Sequence, residues 1–420
     1  MLFFLVYGGT NYLTSLRHDV GTWVYPWERF IPFVPLMIIP YMSIDLFFVA
    51  APFLCSDRKE LSILSRRIVM GILVAGFFFL VMPLRFTFQR PEAPGSLGVV
   101  FDWFRGMDRP FNQFPSLHMT LRTILAHTYA RHTRGWKRVA SNVWFSLIGF
   151  STLLTYQHHI VDVIGGVLLA GLCFYSIGEA RWRQPVTRNR RVGAIYFLSA
   201  ATLLAIAVKS WTWGAILLWP ALSLSIVASA YFGIGPGIFR KDGGRLPIAT
   251  WLLLAPVIAG QRLSIRRYVR RSNSWDAITA SVWIGRTLNA REARRALDEG
   301  VTAILDLTCE LPETPVFARH PNYHNLPVLD LTAPTAEQFA EAIAFIDRHA
   351  REGGVVYVHC KAGYSRSAAI VAAYLLKTNQ VNDASAALAH LRRRRPGIII
   401  RPEALATISD SRKDVNLATV

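Results

Sequence analysis

Cys360 and Arg366 stand six residues apart in the stretch VYVHCKAGYSRSAAIVAAYLL. Its β-branched start, 355–358, reads as a buried strand, and the apolar run after the arginine has no breaker and reads as a helix. The thiol therefore falls in a tight turn where backbone N–H groups and the positive end of a helix meet. An anion held there is a phosphate, and a thiol there has a depressed pKa and is thiolate at neutral pH. Cleaving a phosphate ester also requires a proton for the leaving oxygen, and Asp330 stands at a strand end thirty residues earlier. A second group lies in the first half of the chain. His118 in FNQFPSLHM and His158 in TYQHHIVDV are forty residues apart, the length of two membrane crossings at about 20 residues each, so both return to one membrane face. Asp162, four residues after His158, shares its side of a helix, where it can hydrogen-bond the imidazole, orient it and support the charge it gains. His159 is expected to face elsewhere and to take no catalytic part.

The elements that must position these residues are of two kinds. Of 420 residues, 52% are hydrophobic and 17% charged, and the mean hydropathy is +0.30. Those proportions exclude a purely soluble protein. Apolar stretches at 30–55, 68–84, 116–129, 139–157, 160–177, 193–208 and 213–234, with the short apolar N-terminus, give about eight membrane helices. The N-terminus lacks the basic region and cleavage site of a signal peptide. A net charge of +19 suits basic loops and an anionic lipid surface, and nucleic acid is not expected as a partner. Loops 56–67, 131–138 and 181–191 are basic and alternate along the chain, which makes them cytoplasmic. The loop 85–115 then lies outside and Cys360 inside. Four arginines of the outer loop, Arg85, Arg90, Arg105 and Arg109, run against that bias and need a reason other than topology.

The apolar piece 248–259 is too short to span easily and reads as interfacial or re-entrant. Arg262, Arg266, Arg267, Arg270 and Arg271 follow it, either to hold the next domain against anionic headgroups or as a solvated linker. From residue 272 strand-like runs alternate with helical ones, which argues an α/β domain with a mainly parallel sheet. Cys55, Cys173, Cys309 and Cys360 show no disulfide framework or zinc spacing, and a catalytic thiol suits a reducing compartment.

HCKAGYSRS resembles the signature of the cysteine-dependent protein tyrosine and dual-specificity phosphatase superfamily. The resemblance implies that fold for 272–420 and a role for each position. Cys360 is the nucleophile and carries a thiophosphate intermediate. Arg366 clamps the equatorial phosphate oxygens, Ser367 stabilises the departing thiolate, and Asp330 is the general acid. His359 helps set the loop, Lys361 adds a cation beside the phosphate, and Ala362, Gly363, Tyr364 and Ser365 complete the phosphate-binding turn. LDLTCE, VLDLTAPT, VAAYLL and IIIRPEAL extend the likeness toward phosphatidylglycerophosphate phosphatases, and the CKAG loop is shared with phosphoinositide phosphatases. By the same likeness Arg401 is a structural or substrate-side contact. The basic run 392–395 reads as a solvated helix end in preference to the alternative, a lipid contact.

The residues around His118, His158 and Asp162 resemble the type-2 phosphatidic acid phosphatase superfamily. That implies His158 as nucleophile, Asp162 as its orienter and His118 as the acid for the leaving group. PSLH stands where the family has PSGH, Ser151 and Thr152 where it has Ser-Arg, and its Lys, six residues, Arg-Pro motif is reduced to Arg85 and the pair Arg90 and Pro91. These departures look more like the inositol-phosphorylceramide and sphingomyelin synthase branch, which moves a phosphorylated headgroup between lipids. The outer-loop arginines would replace the missing cations.

The chain thus reads as an N-terminal all-α polytopic membrane domain joined to a C-terminal α/β domain. Residues 1–180 form the phosphatidic-acid-phosphatase-like part, 181–271 two further membrane helices, an interfacial segment and a basic linker, and 272–420 a cytoplasmic phosphatase domain. The expected activity is hydrolysis of a lipid phosphomonoester, of phosphatidylglycerophosphate or phosphoinositide type, with an outward histidine-dependent lipid phosphatase or headgroup transferase. The expected setting is a bacterial inner membrane. The alternative is a membrane-anchored protein tyrosine or dual-specificity phosphatase with a degenerate lipid-binding membrane domain. Neither mechanism calls for a metal or other cofactor. The expected partners are lipid phosphates and the anionic inner leaflet, and nothing in the sequence names a protein partner.

Overall fold

A computed structural model describes residues 1–107, 109–178, 184, 186–210, 214–269 and 272–406. The chain divides into two compact units, Met1–Glu179 and Ala180–Val420.

The first unit is helical: α1 (Ile38–Leu54), α2 (Arg58–Val81), α3 (Gly95–Met107), α4 (Leu117–His132), α5 (Gly135–Leu154) and α6 (Ile160–Ser176). Capping side chains fix two of the starts. Asp57 accepts the Glu60 N–H at the head of α2, and Ser116 accepts the Met119 N–H at the head of α4. Gly166 lets α4 and α6 close on each other, since a Cβ there would stand 2.5 Å from the Ser116 carbonyl oxygen. Thr120 Oγ1 donates to the Gly166 carbonyl at 3.0 Å across the same contact. Two expected loops differ. Most of the basic stretch 56–67 is the first turns of α2, capped by Asp57, and the loop 85–115 contains α3.

The second unit carries α7 (Arg190–Lys209), α8 (Leu218–Ser229) and α9 (Ile248–Val269) ahead of its sheet. The piece 248–259 is not a separate interfacial segment but the first half of α9, which passes Pro256 and runs on through the arginines. Arginine favours helix, and its stem covers apolar surface; Arg262 lies over the Trp251 ring at 4.5 Å. Among the described residues four helices are long and apolar enough to cross a membrane, Pro35–Leu54, Arg58–Val81, Arg190–Lys209 and Ile248–Arg267. That is fewer than the eight read from the sequence. The stretches 160–176 and 218–234 form shorter apolar helices. Leu46, Phe53, Phe77 and Phe197 on the long helices point outward, as lipid-facing side chains do. Arg270 and Arg271, Arg181 and Arg183 of the third basic loop, and the Arg105 side chain lie outside the described residues.

The sheet follows: β1 (Trp275–Ala277), β2 (Val282–Arg286), α10 (Ala290–Asp298), β3 (Val301–Thr308), β4 (Tyr323–Val328), α11 (Ala336–Arg351), β5 (Val355–Cys360), α12 (Arg366–Lys377) and α13 (Ala384–Arg394). The strand order is β1-β2-β5-β3-β4, with only β1 antiparallel. This is the α/β arrangement with a mainly parallel sheet that the alternation of strand-like and helical runs predicts. Every residue of α12 from Arg366 to Leu376 is buried, as its unbroken apolar composition requires.

The segment between α8 and α9 is anchored to the sheet by one buried lysine. Lys241 Nζ lies 2.5 Å from Asp306 Oδ2 and donates to the Thr308 hydroxyl and carbonyl at 2.7 and 3.0 Å. Burial raises the Asp306 pKa, but the charges of Lys241 and His359 outweigh it and hold the carboxyl at about 2. Lys241→Met should therefore cost about 3–5 kcal/mol, read as a lower unfolding midpoint, because it strands a buried carboxylate. The Asp306 contribution is present above its unfolded pKa of about 3.9 and is lost as pH falls toward the folded value. Acid destabilisation in that window should shrink in Lys241→Met.

Candidate active site

Residues 360–366 form a loop at the C-terminal end of β5, the central strand. In parallel sheets ligands bind outside such strand ends. Cys360 Sγ accepts the Gly363 N–H at 3.3 Å and lies 3.4 Å from Ser367 Oγ. Arg366 opens α12, so the helix head faces the sulfur. Gly363 has φ +73°, and a Cβ there would stand 2.5 Å from the Gly285 carbonyl and 2.9 Å from the Arg395 guanidinium. Glycine is required on both counts.

The Arg366 guanidinium is fully buried. It forks onto Glu310, at 2.7 Å to Oε1 and 3.1 Å to Oε2, donates to the Val328 carbonyl at 2.8 Å, and stands 3.3 Å from Asp330 Oδ1. Burial pushes the Cys360 thiol up, but the Arg366 charge and the Ser367 hydrogen bond outweigh burial and bring it below the ordinary value. Glu310 obeys the same balance: burial raises it, Arg366 pulls it down to about 2.

Asp330 follows β4 and faces the loop, with Oδ2 2.5 Å from Lys361 Nζ. Lys361 also donates to Gln261 Oε1 of α9 at 2.7 Å. His359 is buried behind the loop, 3.1 Å from Glu313 Oε2 and 3.8 Å from Asp306 Oδ1. Burial lowers its pKa, and the two carboxylates raise it by more. Asp306, Glu313 and His359 bring ligand-type atoms within 4.8 Å of one another. Lys241 already neutralises Asp306, so the cluster is closed by an ammonium rather than open to a metal cation.

Arg395 departs from the expected solvated run. Arg393 and Arg394 are exposed, but Arg395 is buried and pairs with Asp276 at 2.6 Å. It donates to the loop carbonyls of Gly363 and Ala362 at 3.0 and 3.2 Å and covers the Tyr364 ring. Ser365 is the N-cap position of α12. Arg401 pairs with Glu403 at 3.4 Å. Glu310, Arg395 and Gln261 were not anticipated as parts of this site.

The first unit gathers the other residues at the heads of α4 and α6. His118 stacks on Tyr41, with ring centres 4.2 Å apart, and its Nε2 is buried with no hydrogen-bond partner among the described residues. The expected helical pairing of His158 with Asp162 is corrected. The helix starts at Ile160, so His158 lies before it, with Nδ1 3.7 Å from Asp162 Oδ2, beyond hydrogen-bond reach. That oxygen instead accepts the His159 backbone N–H at 2.8 Å. His159 is held tightly: Nδ1 meets Glu28 Oε2 at 3.0 Å, Nε2 meets Thr87 Oγ1 at 3.0 Å, and the ring stacks on Phe86. Of the arginines expected to supply cations, Arg90 donates to the Tyr156 carbonyl at 2.8 Å, Arg109 to Ser15 Oγ at 2.6 Å, and Arg85 is exposed.

Comparison with known proteins falls on these same two regions. Residues 282–413 match the family model described as dual specificity phosphatase, catalytic domain, and residues 95–176 match that of the PAP2 superfamily. The chain therefore joins a PAP2 superfamily domain to a dual-specificity phosphatase catalytic domain. Dual specificity protein phosphatase 1 of Homo sapiens is 45% identical over 83 residues, 20% of this chain and 22% of that protein. Dual specificity protein phosphatase 5 of Rattus norvegicus is 39% identical over 100 residues, 24% of this chain and 26% of that protein. The chain thus spans about a quarter or less of the length of these curated relatives. Among solved structures, PTPMT1 in complex with PI(5)P is 27% identical, with a TM-score of 0.33 over 35% of this chain and 100% of the other. Tk-PTP in its active form is 28% identical, with a TM-score of 0.31 over 33% of this chain and 95% of the other.

Two outcomes follow from the loop geometry. Gly363→Ala displaces the loop and should lower phosphatase turnover about 10²-fold, since misplacements near 1 Å have that effect. Alkylation of Cys360 by iodoacetamide should proceed below the pH of about 8.5 at which a free thiol ionises. Arg366→Met should move that midpoint upward, as a mass-spectrometric pH series of Cys360 labelling would read.

Proposed function

We propose that this chain is an integral membrane enzyme of lipid phosphate metabolism with two phosphate-handling centres, and that its dual-specificity phosphatase domain hydrolyses a lipid phosphomonoester. In this reading 1–180 is the histidine-dependent part, 181–271 joins the two, and 272–420 is a cytoplasmic phosphatase domain. The Cys360 thiolate attacks phosphorus while the bond to the lipid oxygen breaks, and Asp330 gives that oxygen its proton. Arg366 and the loop N–H groups hold the three remaining oxygens. The phosphate rests on sulfur as a thiophosphate. Water then attacks, Asp330 takes its proton, the P–S bond breaks, and Ser367 donates to the returning thiolate as inorganic phosphate leaves. His359, Lys361 and the backbone from Ala362 to Ser365 shape and charge the cradle.

The observation that carries the lipid class is continuity. The catalytic loop belongs to one compact unit with α7 and α9, two helices long and apolar enough to cross a membrane. A phosphatase built onto such helices works at a bilayer surface. Phosphatidylglycerophosphate and phosphoinositides are the substrates the sequence likeness favours, and a bacterial inner membrane is the setting. A second reading, a membrane-anchored protein phosphatase, draws on the 45% identity to dual specificity protein phosphatase 1. In the first unit, His158 is the proposed nucleophile, Asp162 its electrostatic support and His118 the leaving-group acid. Headgroup transfer suits its departures from the phosphatase motifs.

Purified full-length protein should release phosphate from phosphatidylglycerophosphate or a phosphoinositide, and Cys360→Ser should abolish that release. Asp330→Asn should lower it by about 10²-fold or more. Turnover of phosphotyrosine peptides with none of lipid would select the protein-phosphatase reading. Any headgroup transfer between lipids should vanish in His158→Ala and persist in Cys360→Ser. Release of free phosphate from a diacylglycerol phosphate with that same mutant pattern would instead make the first unit a phosphatase.

A further inference from the structure

The acid loop of the phosphatase site is not supported by the α/β fold alone. Three consecutive residues of it are held by the helical part of the same unit. Leu329 packs into a core with Val227, Tyr231, Leu254, Val257 and Ile258. The Asp330 carbonyl accepts the Tyr231 hydroxyl at 3.0 Å, and the Leu331 carbonyl accepts Asn189 Nδ2 at 2.8 Å. Leu331 has φ +59°, a left-handed conformation that a side chain of this kind adopts only when its surroundings enforce it. The Asn189 bond, from just before α7, fixes that residue beside the acid.

The loop is held from its other side as well. Lys361 grips the Asp330 carboxylate, and Lys361 is itself held by Gln261 of α9. Gln261 is a neutral acceptor, so it keeps the ammonium in place without opposing a phosphate. Tyr196 of α7 stacks on Tyr231, ring centres 5.6 Å apart. Residues from α7, the segment 230–234 after α8, and α9 thus converge on one loop and one lysine.

We propose that α7, α8 and α9 form the roof of the phosphatase site, with Tyr231 and Gln261 as positioning residues that set the acid Asp330 against the scissile oxygen. Resting on the lipid-phosphatase reading above, this adds that the helices taken as membrane spans are part of the catalytic assembly and not a tether. Gln261 falls where α9 changes from its apolar stretch to Arg262, Arg266 and Arg267. The acid is thereby set at the level of lipid headgroups, where a phosphomonoester lying in the bilayer plane reaches it.

The test uses full-length protein in detergent and two substrates that differ in their need for a proton. A short-chain phosphatidylglycerophosphate loses an alkoxide, which must be protonated, whereas 4-nitrophenyl phosphate loses a phenolate that leaves unaided. Tyr231→Phe, which keeps the ring stack, and Gln261→Ala should each lower turnover of the lipid about 10-fold and that of the nitrophenyl ester less than about twofold. Neither should add to the loss in Asp330→Asn, since all act through one proton transfer. Gln261→Asn should recover part of the lipid activity. Equal losses on both substrates, no loss on either, or full additivity with Asp330→Asn would overturn the proposal. Lipid turnover that survives Cys360→Ser would instead remove the cysteine reading on which it rests.

Discussion

Arg366 carries its charge at 2% exposure, and the ends of three strands are arranged around that fact. Taking a guanidinium out of water costs several kcal/mol even after relaxation, so it persists only among matched partners. Glu310 arrives from the end of β3, the Val328 carbonyl and Asp330 from the end of β4, and Cys360 from the end of β5. The order β5-β3-β4 makes these ends neighbours. One cation therefore ties together the thiol, the segment that carries Asp330 and the loop 360–366. It also draws the Cys360 thiol below its ordinary pKa against the pull of burial. Glu310 is the necessary complement, because an arginine paired only with a transient phosphate would be stranded between turnovers.

The same economy appears behind the loop and above it. His359 and Lys241 stand against Glu313 and Asp306 in a buried group of two cations and two anions when the histidine is protonated. Arg395 braces the loop carbonyls from the opposite side. The loop 360–366 is thus pre-organised by His359 of the signature together with charges from outside it, Lys241, Asp306, Glu313 and Arg395. In the first unit the imidazoles divide the labour differently. His159 is saturated by Glu28 and Thr87, while among the described residues His118 and His158 each keep a ring nitrogen without a hydrogen-bond partner.

Much of the α/β region was legible because its strands are β-branched runs and its helices start on capping residues. SVWIG, TAILDLT, YHNLPVL and GVVYVH are β2 to β5, and Thr335 and Asn289 open their helices with capping boxes. Strand β1 has three residues, too few to carry a pattern. Cys360, Arg366 and Asp330 were found because a strand end or a turn marks each. Glu310 and Arg395 were hidden because they act through space on residues 56 and 32 positions away. Helix α9 was cut short because arginines resemble a boundary, although they extend a helix as readily as they end one. The spacing of His158 and Asp162 suggested a helical pair, but their nearness arises across a helix start. Glu28, 131 residues before His159, left no local sign.

The central claim is that the cysteine centre takes phosphate from a lipid. Rapid quenching of the full-length protein with phosphatidylglycerophosphate labelled on its terminal phosphate, followed by peptide mapping, tests it most directly. The label should appear on Cys360 as a thiophosphate. Label on His158 alone, or on no residue while the lipid is turned over, would contradict it.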